Sequence, residues 1–319
     1  MYWECEHLLA NELHPDGYAS FNLVSYEHKG VLGLKRFLTA HKQRRDHHGS
    51  HNSKMTEPIT YMLDLQALYG WWTEFRSFYT GCYLTNGNDV LAALHGIVQD
   101  VAEAMQDEMV AGLWKGRLIQ ELGWHTFLTG PRRPAPSWQG PSWSWISSRG
   151  HIGNSMGTSF LADSREMVTI EEVVAEQSQI GDVCQAFLVL RCRLMPTKFR
   201  PYCFPGQRDV KWCNPTDELS RCAIRVTLDD VSLITDDAVV VDCYLLVLRY
   251  EHRTDLSPQG DPIPCHAEGL VVVLHDRLSK SYQRIGSWRI IQGIMSDSFT
   301  RIDILPIYEA ADEQIITLV

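Results

Sequence analysis

The hydrophobic period of this chain changes once along its length, and that change dictates a fold in two parts. From residue 65 to residue 122 apolar side chains recur at helical spacing; from residue 187 onward most segments alternate at every second position. The first pattern gathers a stripe on one side of a helix, and the second gathers one face of a strand.

Leu65, Leu68, Trp72, Phe75 and Tyr79 form one stripe, with Gly81 placed to stop that helix. A second helix is expected to start at Asn88, with Asp89 complementing its N-terminal dipole and a stripe of Leu91, Leu94, Val98, Val101 and Met105. Leu113, Trp114, Leu118 and Leu122 predict a shorter third helix.

In the second part, Leu188, Leu190, Cys192 and Leu194 alternate with Phe187, Val189, Arg191 and Arg193, and Cys222, Ile224, Val226 and Leu228 form a similar series. The run from Val239 to Leu248 is almost wholly apolar, as in a central strand covered on both faces. Further strands are expected over Leu270–Leu274, Tyr282–Ile291, Thr300–Leu305 and Ile315–Val319. Pro196 to Asp217 reads as a long loop containing Pro201, Pro205 and Pro215. No helical pattern separates the strands, so antiparallel pairing is expected.

Between the two parts lies Pro141-Ser142-Trp143-Ser144-Trp145-Ile146-Ser147-Ser148, preceded by the proline-rich run Pro131 to Pro136. The prolines disfavour helix, and indoles two residues apart share one side of an extended segment. The segment therefore reads as a seam joining the halves. The expectation is an α+β protein, an N-terminal helical layer followed by an antiparallel β-sandwich or barrel. Residues 1–130 form the helical region, 131–165 the joint, and 166–319 the β domain, with a flexible loop over 40–56.

The net charge is −10. No basic surplus exists to release counterions from nucleic acid, and the pairs Arg44-Arg45 and Arg132-Arg133 are isolated, so no nucleic-acid partner is expected. Met1 to His7 carries acids and no apolar core, which does not resemble a signal peptide. No run approaches the roughly 20 apolar residues of a membrane span. Nine cysteines without a C-x-x-C, and no N-x-S/T acceptor, favour a reducing, cytoplasmic setting.

Several segments resemble, in order, the C-terminal region of fungal heterokaryon-incompatibility (HET) domain proteins. Tyr2-Trp3-Glu4-Cys5 resembles the "WEC" closing the HET domain, so residues 1–10 are read as its remnant. Ala10 to Gly17 resembles the acid-proline segment that follows, and Trp71-Trp72 through Ile97 the family's helices. Ala111-Gly112-Leu113-Trp114 with Leu122-Gly123-Trp124 resembles "AGLW…LLW", and Pro141 to Ser147 resembles "APSWSWAS". Ile316 to Val319 resembles the usual ending. The resemblance implies a non-enzymatic interaction or regulatory module of self/non-self recognition and programmed cell death, with a HET-type protein as partner. The HET domain's own signature residues have no counterpart here. The alternatives are an enzyme of fungal secondary metabolism with a pocket between the halves, and a truncated or vestigial fragment.

No catalytic, cofactor-binding or metal-ligating residue is assigned. Gly153-Asn154-Ser155-Met156-Gly157 matches G-x-S-x-G, with Asp229, Asp242, His252, His266 and His275 available to complete a triad. A nucleophile elbow needs a strand before it and a helix after it, whereas here a tryptophan-rich coil precedes it. His41, His47, His48 and His51 lie in a charged loop without a rigid second shell. Cys192, Cys203, Cys213 and Cys222 lack the close spacing of zinc knuckles. Trp138, Trp143 and Trp145 are the candidates for a ligand or partner groove, weighed against a buried wedge between the halves.

Overall fold

The computed structural model describes residues 2–4, 9–11, 34, 38–39, 57–82, 87–127, 140–154, 164–177, 183–203, 211–215, 219, 222, 224–229, 241–251, 266–290 and 303–319. Near the start, β1 (Tyr2–Glu4) pairs antiparallel with β2 (Leu9–Asn11). The loop expected over 40–56 lies outside the described residues.

The first expected helix is α1 (Glu57–Thr80). Its stripe supplies the buried Leu68, Trp72 and Phe75, and Gly81 follows it, its N–H donating to Ser77 O and Phe78 O. The second helix begins later than expected. Gly87–Val90 and Ala92–Leu94 are 3-10 turns, and α2 spans only His95–Met105.

The third expected helix is corrected at its first turn. Leu113-Trp114 is a strand, β4, paired with β3 (Met109–Val110), and only α3 (Leu118–Glu121) is α-helical. The cause is local. Ala111 and Gly112 have φ of 48° and 84°, and two successive positive φ values close a two-residue hairpin that no helix can contain. β5 (Trp124–Thr126) then pairs antiparallel with β6 (Ile152–Asn154).

The second half is one nine-stranded sheet: β7 (Arg165–Glu166), β8 (Thr169–Gln177), β9 (Val183–Cys203), β10 (Lys211–Pro215), β11 (Ile224–Leu228), β12 (Val241–Glu251), β13 (His266–Asp276), β14 (Ser281–Ile290) and β15 (Glu313–Leu318). The pairings return on themselves, from β9 through β12, β13, β14, β11 and β10 back to β9. Among the described residues all pairings of this sheet are antiparallel but one: β15 runs parallel to β14, with Ser281 opposite Thr317. A parallel return needs a crossover, and α4 (Leu305–Ala310) lies in it.

Two strand expectations are corrected. Residues 303–304 are not strand, and Leu305 opens α4, with Pro306 in its first turn and Asp303 Oδ1 accepting from Leu305 N at 3.0 Å. The expected loop from Pro196 is strand as far as Cys203, and strand again over β10. Met195, Thr197 and Phe199 are buried while Pro196 and Lys198 are exposed, so alternation runs straight through the proline.

Both faces of the sheet are covered. Leu188, Leu190, Leu194, Leu246 and Leu270 join one apolar cluster with Leu68, Trp72, Trp114, Trp143 and Trp145 of the first half. Met195, Phe199, Val226, Leu245, Val271 and Trp288 form a second cluster on the opposite face, with Tyr308 of α4. β12 feeds alternate residues to each, which is why its sequence is apolar throughout. Among the described residues, no helix is long and apolar enough to cross a membrane.

Candidate functional site

The seam is built around the tryptophan motif. Ser144 Oγ donates to Ala111 O at 2.5 Å, and Trp145 Nε1 donates to Gly112 O at 2.6 Å. The two carbonyls belong to the β3–β4 hairpin turn, whose positive-φ geometry aims them at the motif. A Cβ at Gly112 would stand 2.9 Å from Ile146 Cγ2 and 3.1 Å from Trp145 Nε1, so the hairpin needs glycine there for contact as well as conformation. Trp124 Nε1 donates to Trp143 O at 2.9 Å. The Trp143 N–H itself finds no acceptor among the described residues, unlike its two neighbours.

Arg284 of β14 fastens this assembly to the sheet. Its side chain is wholly buried. Nε and Nη2 donate to Asp229 at 2.7 and 3.1 Å, Nη1 to Leu122 O at 2.7 Å, and Nη2 to Trp124 O at 2.6 Å. The guanidinium stacks over the Trp124 ring at 3.4 Å. Its backbone N–H donates to Ser142 Oγ at 2.9 Å, and that hydroxyl donates to Val319 O. Through its side chain Arg284 ties the helical half to the sheet, and through its backbone N–H it holds the tryptophan motif. A second buried ion pair, Arg76 with Glu121, braces α1 against α3 within the helical half.

Beside the seam, β5 and β6 bring His125 and His151 together, with the Phe127 ring between them at 5.1 and 4.7 Å. Burial first, then the charges of Arg289 and Arg284, lower the His125 pKa to about 4. Burial also lowers that of His151, whose Nε2 lies 3.1 Å from Ser77 Oγ. A hydroxyl beside a neutral imidazole is the elementary pair of nucleophilic catalysis. Sequence reasoning missed all three residues, because no motif links positions 77, 125 and 151.

Of the expected groove, Trp143 and Trp145 are fully buried, and in this conformation neither offers a ring face to a ligand. Trp138 lies outside the described residues, as do Ser155, His252 and the histidines of the 40–56 loop. Asp229 is held by Arg284 and Asp242 by Lys198 at 3.2 Å, so both carboxylates proposed for a triad are occupied by cations. His275 is exposed near the end of β13. Cys192 and Cys222 are buried, Cys192 with its thiol pushed up to about 12 by burial, as befits a core residue. Cys203 and Cys213 lie on the paired strands β9 and β10. Among the described residues, no group of three or more His, Cys, Asp or Glu is placed to hold a metal ion.

No family model, curated protein or solved structure matches this chain.

Proposed function

We propose that the chain is a non-enzymatic interaction module of the heterokaryon-incompatibility kind, acting in the cytoplasm on a HET-type protein partner. One observation carries this reading. The two segments on which the resemblance rests most firmly, Ala111 to Trp114 and Pro141 to Ser147, are bonded to each other through Ser144 and Trp145. Their residues serve architecture, which suits a region that presents a surface rather than one that performs a reaction. The test is expression in a fungal host, alone and together with a full-length HET protein. Growth arrest that requires this chain is the expected outcome. Normal growth in both strains would refute the reading.

A second reading, an enzyme working between the halves, is favoured by Ser77 Oγ at 3.1 Å from the lowered-pKa His151. It predicts that a fluorophosphonate probe labels wild-type protein and not Ser77→Ala. Absence of Ser77 labelling in the folded wild type would dismiss it.

A further inference from the structure

Among the described residues β8 pairs on one side only, with β9. Their register shifts between Ile170 and Glu172 and again between Glu176 and Gln177, so Glu172 to Glu176 is the regular stretch of the strand. Every second N–H and C=O along that stretch points away from β9, and such an edge is a template for another strand. The apolar layer is also unfinished here. Leu188 and Leu190 of β9 are fully buried, whereas Val173 and Ile170 opposite them are only half-buried, as is Ala175, at the margin of the first cluster. A strand added beyond β8 would cover all three. Glu172 and Glu176 stand on the opposite face from Val173 and Ala175 and are exposed, while Glu171 is held by Arg191 at 2.7 Å.

Resting on the interaction-module reading, we propose that the outer edge of β8 takes up a β-strand from a protein partner, an extended segment in which apolar residues alternate with lysine or arginine. In strand addition, main-chain hydrogen bonds give affinity and alternate side chains give specificity. The apolar positions of the incoming strand extend the first cluster beside Val173 and Ala175, and its cations fall on the other face beside Glu172 and Glu176. The same two acids decide against a second copy of this chain. Two β8 edges paired antiparallel about Val174 would set Glu172 against Glu176 twice, and like charges directly opposite destabilise a ladder. The net charge of −10 steers a basic partner toward the surface and an acidic one away. Glu172 and Glu176 thus guard the edge against self-association while leaving it open to a basic strand.

The experiment titrates the full chain with an end-blocked peptide of alternating valine and lysine, as long as β8 at 9 residues, and with its valine–glutamate counterpart at matched ionic strength. A third peptide repeats the valine–lysine sequence N-methylated throughout, which removes every ladder donor and keeps the charge. The readouts are fluorescence anisotropy of the labelled peptide and amide hydrogen exchange over Thr169–Gln177. The valine–lysine peptide should bind saturably and slow exchange over β8. The valine–glutamate peptide should bind about tenfold more weakly, and the N-methylated one should not bind saturably. Glu172→Lys combined with Glu176→Lys, both at exposed positions, should reverse the preference between the first two peptides. Equal binding of the N-methylated peptide, an unreversed preference in the double variant, or unchanged exchange over β8 would overturn the proposal. The edge and the module fail separately. Growth arrest in the fungal host that survives the double variant counts against the edge and for the module, and saturable peptide pairing without a growth phenotype does the reverse.

Discussion

Replacing Arg284 by alanine should be the most damaging single change at the seam. The substitution removes four hydrogen bonds at 2.6 to 3.1 Å and the stacking on Trp124. It takes the guanidinium away from the Asp229 carboxylate and the donors away from the carbonyls of Leu122 and Trp124. Breaking one side of a buried ion pair costs about 3–5 kcal/mol, and each orphaned buried carbonyl adds about 1–3 kcal/mol when water cannot reach it. Asp229 is 15% exposed and recovers some hydration, so we expect the low end of that range, about 5 kcal/mol, for Arg284→Ala. Arg284→Lys keeps the charge but not the fork, so it should still cost about 2 kcal/mol. Asp229→Ala made on top of Arg284→Ala should cost about 2 kcal/mol less than Asp229→Ala made alone, because both substitutions break the same ion pair. Urea unfolding followed by tryptophan fluorescence and far-UV circular dichroism measures each term through the midpoint at constant m. A cost below about 1 kcal/mol for Arg284→Ala, or strict additivity with Asp229→Ala, would refute the view that this side chain joins the halves.

Gly112→Ala should destabilise by about 1–2 kcal/mol through its positive φ and its contact with Ile146 and Trp145, whereas Gly96→Ala, in α2 with open space around it, should stabilise by about 0.5–1 kcal/mol; urea midpoints check both. Trp145→Phe removes the bond to Gly112 O and leaves a void, and should lower stability by about 2 kcal/mol in the same assay. His125 has a folded pKa of about 4, below its ordinary value, so the unfolded chain takes up the proton first as pH falls. Its contribution is complete above about pH 6.5 and fades toward pH 4, by up to about 3 kcal/mol. Unfolding midpoints at pH 7 and 4.5 should therefore diverge in wild type more than in His125→Gln, and equal divergence would contradict the assignment.

The sequence signals that survived are those enforced over many residues. The stripe from Leu65 to Tyr79 appears as α1, and the alternation from Leu188 to Leu194 as the middle of β9. What failed was decided by one or two residues. The positive φ of Ala111 and Gly112 turned a helical-looking Leu113-Trp114 into a hairpin strand. Pro306 in the first turn of α4 made a helix of an expected strand end, and Pro196 looked like a loop although it lies in β9. The burial of Trp143 and Trp145 was legible because tryptophan at that density has few alternatives to it, but the segment turns into a 3-10 helix over Trp145–Ser147 where an extended segment was expected. Arg284 was not, since an arginine in an alternating strand reads as the exposed phase until its partners are known. His125 and His151 meet through the β5–β6 pairing and Ser77 reaches His151 from α1, tertiary events that no local pattern announces.

β9 pairs with β8, β12, β10 and β15, the last drawn from residues 313–318. The strand order of the sheet therefore cannot be completed until segments more than a hundred residues apart in the chain have met. Chains dominated by such distant pairings fold slowly, in milliseconds to seconds or longer, while local elements such as α1 form within microseconds. In this protein the helical half would wait, its apolar stripe uncovered, for a sheet whose central strand is among the last to be fully paired. Apolar surface left uncovered over that interval is where aggregation competes with folding during synthesis.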